Sequence, residues 1–186
     1  MSNSWTMYFD GSKKYEGVGA GVVLISLKGD RLHYVLQMGF SKPSNNEAEY
    51  EALIHGMKIA KVCGCTRLMI YGDSKLVVQQ TMKACDATTE NMIAYRELYN
   101  NMEDNFDGCE LRHIGCESNE ESDILANLVS TKAPIPLDTF LKRIEHRSIK
   151  LKQKGTPLAS TAPTAAQNPK PCTLDPPIEV FLVEPM

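Results

Sequence analysis

WTMYFDGSKKYEGVGAGVVLISLKGDRLHYVLQMGF, residues 5–40, decides the fold. In its opening, Trp5, Met7 and Phe9 point one way and Thr6, Tyr8 and Asp10 the other. This two-residue period predicts a strand with one apolar face. Gly11, Gly17, Gly19 and Gly21 mark a turn and the entry to a second strand, about Gly19–Leu27, rich in Val, Leu and Ile. LKGDR reads as a hairpin turn, and residues 31–40 as a third strand. Three consecutive antiparallel strands are predicted.

Downstream of these strands, Ser44 or Asn45 can cap a helix running to about Cys63. RLMIYG, residues 67–72, is a short apolar strand, followed by a helix over 74–83 and another over 89–106. Residues 109–114 read as a fifth strand, and Asn119 caps a last helix to about Ser130. The order β-β-β-α-β-α-α-β-α predicts an α/β chain. Its sheet is expected to be five-stranded and mixed, three antiparallel strands then two parallel additions, with helices on both faces. This domain is expected to fill residues 1–133. After Pro134 the character changes: residues 137–155 can hold a short basic helix, 155–177 read as Pro-rich linker, and 178–186 as a short apolar end. The stretch 134–186 is therefore expected to be a basic, then Pro-rich, largely flexible tail.

The chain has 186 residues, 42% of them hydrophobic, enough for one domain with a core and an appendage. No apolar run approaches the roughly 18 residues of a membrane span, and no basic-then-apolar leader opens the sequence. A cytosolic or nuclear protein is expected, with its six cysteines reduced. Net charge is −3, unevenly spread. Residues 1–133 carry 13 Lys/Arg against 18 Asp/Glu, net −5; residues 134–186 carry 7 against 5, net +2. An acidic domain argues against a general nucleic-acid binder, unless some of its acids hold cations. The basic residues Lys142, Arg143, Arg147, Lys150, Lys152 and Lys154 read as a solvated linker, with phosphate contacts as the alternative.

Four acids are candidates for that role. Asp10 closes the first strand, Asp73 follows the fourth, Glu49 lies in the first helix, and Asp123 opens the last. Each has a bland explanation: turn chemistry for Asp10, a cap for Asp73, dipole pairing for Asp123, an edge position for Glu49. On a helical wheel, Ala48, Ala52, Gly56, Ile59, Ala60 and Cys63 define the apolar face of the first helix, and Glu49 falls about 60° from its reference at Ala52. Glu47 and Glu51 fall roughly 140° and 100° away on the other side, toward solvent. Glu49 is the inward acid, and an inward carboxylate needs a partner such as a metal.

FDGS at 9–12, GxGAGVVL at 17–24, SNNEAEYEAL at 44–53, GDSKLVVQQ at 72–80 and NEESDILANL at 119–128 together resemble the type 1 ribonuclease H family. The resemblance extends most to the ribonuclease-H-like domains of plant long-terminal-repeat retrotransposon polyproteins. It covers residues 5 to about 131 in the family's order. It implies that Asp10, Glu49, Asp73 and Asp123 are the catalytic, metal-binding acids. It implies that Asn45 and Asn46 touch the RNA strand and that Gly11 and Ser12 approach the substrate backbone. The implied activity is hydrolysis of the RNA strand of RNA–DNA hybrids with two Mg²⁺ ions, or Mn²⁺ in their place. A monomer is expected; a free protein, a domesticated copy and a polyprotein fragment beside reverse transcriptase and integrase domains are all compatible with the resemblance.

The chain also departs from the family. Where many members carry a histidine before the last helix, HIGCESNEESD offers Cys116 and Glu117, and His113 reads as a strand residue. No basic protrusion is evident at residues 84–92. Competing readings follow from these departures: a weak or inactive nucleic-acid-binding module, or a nuclease for another substrate such as DNA.

Overall fold

A computed structural model describes residues 4–81 and 89–150. The three antiparallel strands form as predicted: β1 (Trp5–Lys13), β2 (Val18–Ile25) and β3 (Arg31–Met38). Then come α1 (Asn45–Val62), β4 (Arg67–Gly72), α2 (Lys75–Thr81), α3 (Glu90–Glu103), β5 (Gly108–His113), a 3₁₀ turn at Cys116–Ser118 and α4 (Glu120–Ser130). β4 joins β1 in parallel and β5 joins β4 in parallel, so the mixed sheet is as expected.

The sheet has six strands rather than five. Residues Thr139–Ile144 form β6, which pairs in parallel with β3 and completes the order β5-β4-β1-β2-β3-β6. This is the segment whose charges predict a short basic helix in the tail. TFLKRI lacks a clean period, because both of its faces are partly covered and Lys142 and Arg143 interrupt its apolar residues. Its backbone partners lie a hundred residues upstream, on the otherwise unpaired edge of β3. The folded sheet thus runs past residue 133; residues 151–186, the rest of the expected tail, lie outside the described residues.

Helices cover both faces. Met7, Phe9, Val22, Leu24 and Leu36 pack against Ala52, Leu53, Ile59 and Ala60 of α1, with α3 beyond. On the opposite face Val23 and Val35 meet Leu125 and Val129 of α4. Glycines permit the closest approaches: a Cβ at Gly21 would sit 2.6 Å from Leu125 Cβ. Of the two possible caps for α1 the structure uses Ser44, in a reciprocal capping box with Glu47. That leaves Asn45 and Asn46 out of the capping role. No helix among the described residues is long and apolar enough to cross a membrane.

The solvent positions expected for Glu47 and Glu51 are wrong: their exposures are 3% and 0%. α1 is covered on its polar side as well, by α3 and by the segment after β6. Glu47 receives Arg147 Nε at 2.5 Å and Asn91 Nδ2 at 3.0 Å. Glu51 receives the Tyr95 hydroxyl at 2.5 Å, and the backbone N–H and hydroxyl of Ser148 at 2.7 and 2.6 Å. Burial by itself would push both carboxyls up; Arg147 for Glu47, and His55 and Ser148 for Glu51, override it and hold them below the usual carboxylate range. Arg147, read as linker charge, is a buried-acid partner. A wheel drawn from one helix cannot show what a segment a hundred residues later lays over it.

Candidate active site

Strand register brings the first two acids together. Phe9 of β1 pairs with Gly72 of β4 in parallel, so the next residues along each chain, Asp10 and Asp73, emerge side by side. Glu49 arrives from the second turn of α1. It can come so close because position 11 is glycine: a Cβ there would lie 2.7 Å from Ala48 C and Glu49 N. The Gly11 N–H donates to the Glu49 carboxylate. Carboxylate oxygens of Asp10, Glu49 and Asp73 lie within 4.8 Å of one another. Asp123 lines the same cleft, of about 520 Å³, without joining the tight group of three.

Two asparagines hold α4 and Asp123 in place. Asn119, 1% exposed, begins α4 as predicted, but its side chain makes no cap. Its Nδ2 donates to the Phe9 carbonyl at 3.0 Å, and its Oδ1 accepts from the Ser122 hydroxyl at 2.6 Å. This ties the start of α4 to β1 one residue before Asp10. Asn127 donates to the Asp123 carboxylate at 3.2 Å and accepts from the Ser12 hydroxyl at 3.0 Å. Asn127 was legible in principle, since it stands four residues after Asp123 on one helical face.

The electrostatics are those of crowded acids. Asp10 is pushed well above the carboxylate range, by burial first and by Glu49 next. Glu49 is pushed up by burial, partly opposed by hydrogen bonds from Asp10 and Gly11. Glu49 Oε2 is buried with no hydrogen-bond partner. An orphaned oxygen inside a cluster of carboxylates is an unfavourable arrangement for a protein by itself. The donor set, all carboxylate oxygen and open to solvent on one side, fits a hard divalent cation such as Mg²⁺.

The reverse transcriptase-like family matches residues 8–129. The chain belongs to that family. Ribonuclease HI of Halobacterium salinarum is 31% identical over 122 residues, 64% of this chain and 61% of that protein. The chain thus spans less than two thirds of that relative's length. A crystal structure of RNase H1 from the same archaeon superposes with a TM-score of 0.61 at 28% identity, covering 69% of this chain and 98% of that one. LC11-RNase H1 in complex with an RNA/DNA hybrid matches with a TM-score of 0.62 at 24% identity, over 69% of this chain and 97% of that one, a likeness of fold.

Within this ribonuclease-H-like fold the other expected site residues divide. Gly11, Ser12 and Asn45 line the acid cleft; Asn46 does not. The Ser12 side chain is buried, its hydroxyl engaged by Asn127 and by Ser130 at 2.9 Å. His113 ends β5, in the strand as expected. Cys116, from the 3₁₀ turn, borders the cleft. Lys13 and Lys14, exposed at its rim, were missed; their position directly after FDGS was the available signal.

Proposed function

We propose that this chain hydrolyses the RNA strand of RNA–DNA hybrids, with Asp10, Glu49, Asp73 and Asp123 holding two divalent cations. Mg²⁺ is the expected ion, with Mn²⁺ as an alternative. The observation that carries this reading is the buried, unpartnered Glu49 oxygen within 4.8 Å of two other carboxylates. The name of the halobacterial relative, and the hybrid bound by LC11-RNase H1, support the substrate class. Bound there, the cations would supply an activated water and stabilise the leaving 3′ oxygen.

The chain's own residues prepare that chemistry. Gly11 N–H orients Glu49, and Asn127 orients Asp123. Lys13 and Lys14 offer positive charge to the phosphodiester backbone beside an acidic cleft that would otherwise repel it. Asn45 opens on the cleft, where it and the backbone of Gly11 and Ser12 contact the RNA strand; Asn46 is assigned the same role by family resemblance. Recognition of 2′-hydroxyls distinguishes hybrid from DNA duplex. From the resemblance of the five motifs we further propose a plant retrotransposon origin, with reverse transcriptase and integrase as neighbouring domains, and a monomer acting in the cytosol or nucleus.

The test offers labelled RNA–DNA hybrid, RNA duplex and DNA duplex to the purified protein with Mg²⁺. Hybrid-only cleavage, abolished in Asp10→Asn and Asp73→Asn, is the expected result. Binding of hybrid without cleavage at high enzyme concentration would instead identify a nucleic-acid-binding module. Cleavage of DNA duplex alone would reassign the substrate.

A further inference from the structure

Glu49 sits midway between two buried carboxylates that face away from the cleft, Glu47 and Glu51. Consecutive residues of one segment hold both. Arg147 gives Glu47 two hydrogen bonds, from Nε at 2.5 Å and from Nη2 at 3.2 Å. Ser148 gives Glu51 its N–H and its hydroxyl, and its hydroxyl also lies 3.2 Å from His55 Nε2 one turn further along α1. The Arg147 guanidinium continues past Glu47. Its Nη2 donates to the carbonyls of Ser41 and Lys42 at 2.9 and 3.4 Å, and its plane covers the Phe40 ring at 4.6 Å. Lys42 has a left-handed backbone, φ +48°, directly before Pro43 and the cap of α1. One side chain thus grips both the loop that leads into α1 and the first turn of the helix.

We propose that Arg147 and Ser148 are positioning residues for the metal centre: they fix the rotation and entry of α1, and thereby the aim of Glu49, without touching the cleft. The segment that carries them follows β6 and lies wholly beyond residues 8–129, the part of the chain the family shares. The geometry makes the coupling direct. Glu47, Glu49 and Glu51 lie within little more than one helical turn, so a rotation of that turn that frees Glu47 or Glu51 swings Glu49 through the same angle. Glu49 has little tolerance for such a swing, because Ala48 and Glu49 lie against Gly11 with no room for a Cβ.

The inference rests on the metal reading above, and its test separates the two. Mg²⁺-induced thermal stabilisation is titrated for the wild type and for Asp10→Asn, Arg147→Met, Arg147→Lys, Ser148→Ala and Phe106→Leu, using the full chain. Phe106 is a buried residue near the far end of α1 and serves as a control for destabilisation alone. The expected result is a midpoint raised about 10-fold in Arg147→Met, the scale usual for residues that orient a ligand. Arg147→Lys and Ser148→Ala should be intermediate, and Phe106→Leu unchanged despite a lower melting temperature. Ser148→Ala keeps the test open if Arg147→Met does not fold. A wild-type midpoint in folded Arg147→Met or Ser148→Ala would overturn the positioning role. Stabilisation that survives unchanged in Asp10→Asn would instead overturn the metal reading beneath it.

Discussion

Replacing Asp10 with asparagine should stabilise the metal-free protein. Oxygens of Asp10, Glu49 and Asp73 lie within 4.8 Å of one another. At an effective dielectric constant near 20, two unit charges at that spacing repel by ~3.5 kcal/mol. The cluster relieves itself by retaining protons, and Asp10, raised first by burial and then by Glu49, is the group pushed furthest. Keeping a proton at pH 7 on a carboxyl of ordinary value near 4 costs about 4 kcal/mol, which caps what the substitution can recover. The amide matches the carboxylate in size but accepts fewer hydrogen bonds, so a net gain of about 1–3 kcal/mol is expected. In a chain of this length that is roughly 3–10 °C in melting temperature. The sign with pH follows from the raised folded value. The stability that proton binding confers is fully present below the ordinary carboxylate range and is lost as pH rises through the raised value. Wild type should therefore fall behind Asp10→Asn as pH climbs from about 4 toward neutrality. Melts followed by circular dichroism in chelator, at several pH values between these limits, measure the gap. Adding Mg²⁺ should then raise the wild type past the variant. A natively folded Asp10→Asn that melts at or below wild type at neutral pH, or a gap independent of pH, would refute the reasoning.

Three further outcomes are expected. Gly11→Ala drives a methyl into the backbone of Ala48 and Glu49; it should cost about 1–3 kcal/mol in urea unfolding and suppress hybrid cleavage more than hybrid binding. Asn119→Ala removes the buried bond to the Phe9 carbonyl; a loss of about 1–3 kcal/mol is expected by denaturant titration, with a weaker response to Mg²⁺ because Asp123 loses its anchor. On acidification, Glu47 and Glu51, held low by their partners, lose their stabilisation as pH falls through their lowered values, and His55, held low by burial, adds a loss of the same sign. Urea midpoints of Asp10→Asn, which lacks the most strongly raised acid of the cleft, should therefore decline most steeply below about pH 4.3, where unfolded glutamates begin to take up protons that Glu47 and Glu51 resist.

The amino-acid sequence by itself determined the strand meander and the helices that follow, and picked out four acids as candidates. Local rules act within a few residues: alternation in WTMYFD, a turn at LKGD, a cap at Ser44 or Asn45, small residues on one face of α1. The same wheel singled out Glu49 as the inward acid, since its apolar neighbours Ala48, Ala52 and Gly56 lie within two turns. Only the tertiary structure decided that Glu47 and Glu51 are inward too, that TFLKRI is a strand, and that Arg147 pairs with a buried acid. Each of these depends on contacts across a hundred residues of chain. A carboxylate on a helix is indifferent between water and a distant guanidinium until the segment carrying that guanidinium has folded over it. A strand of mixed character is likewise indifferent until an unpaired edge supplies its hydrogen bonds.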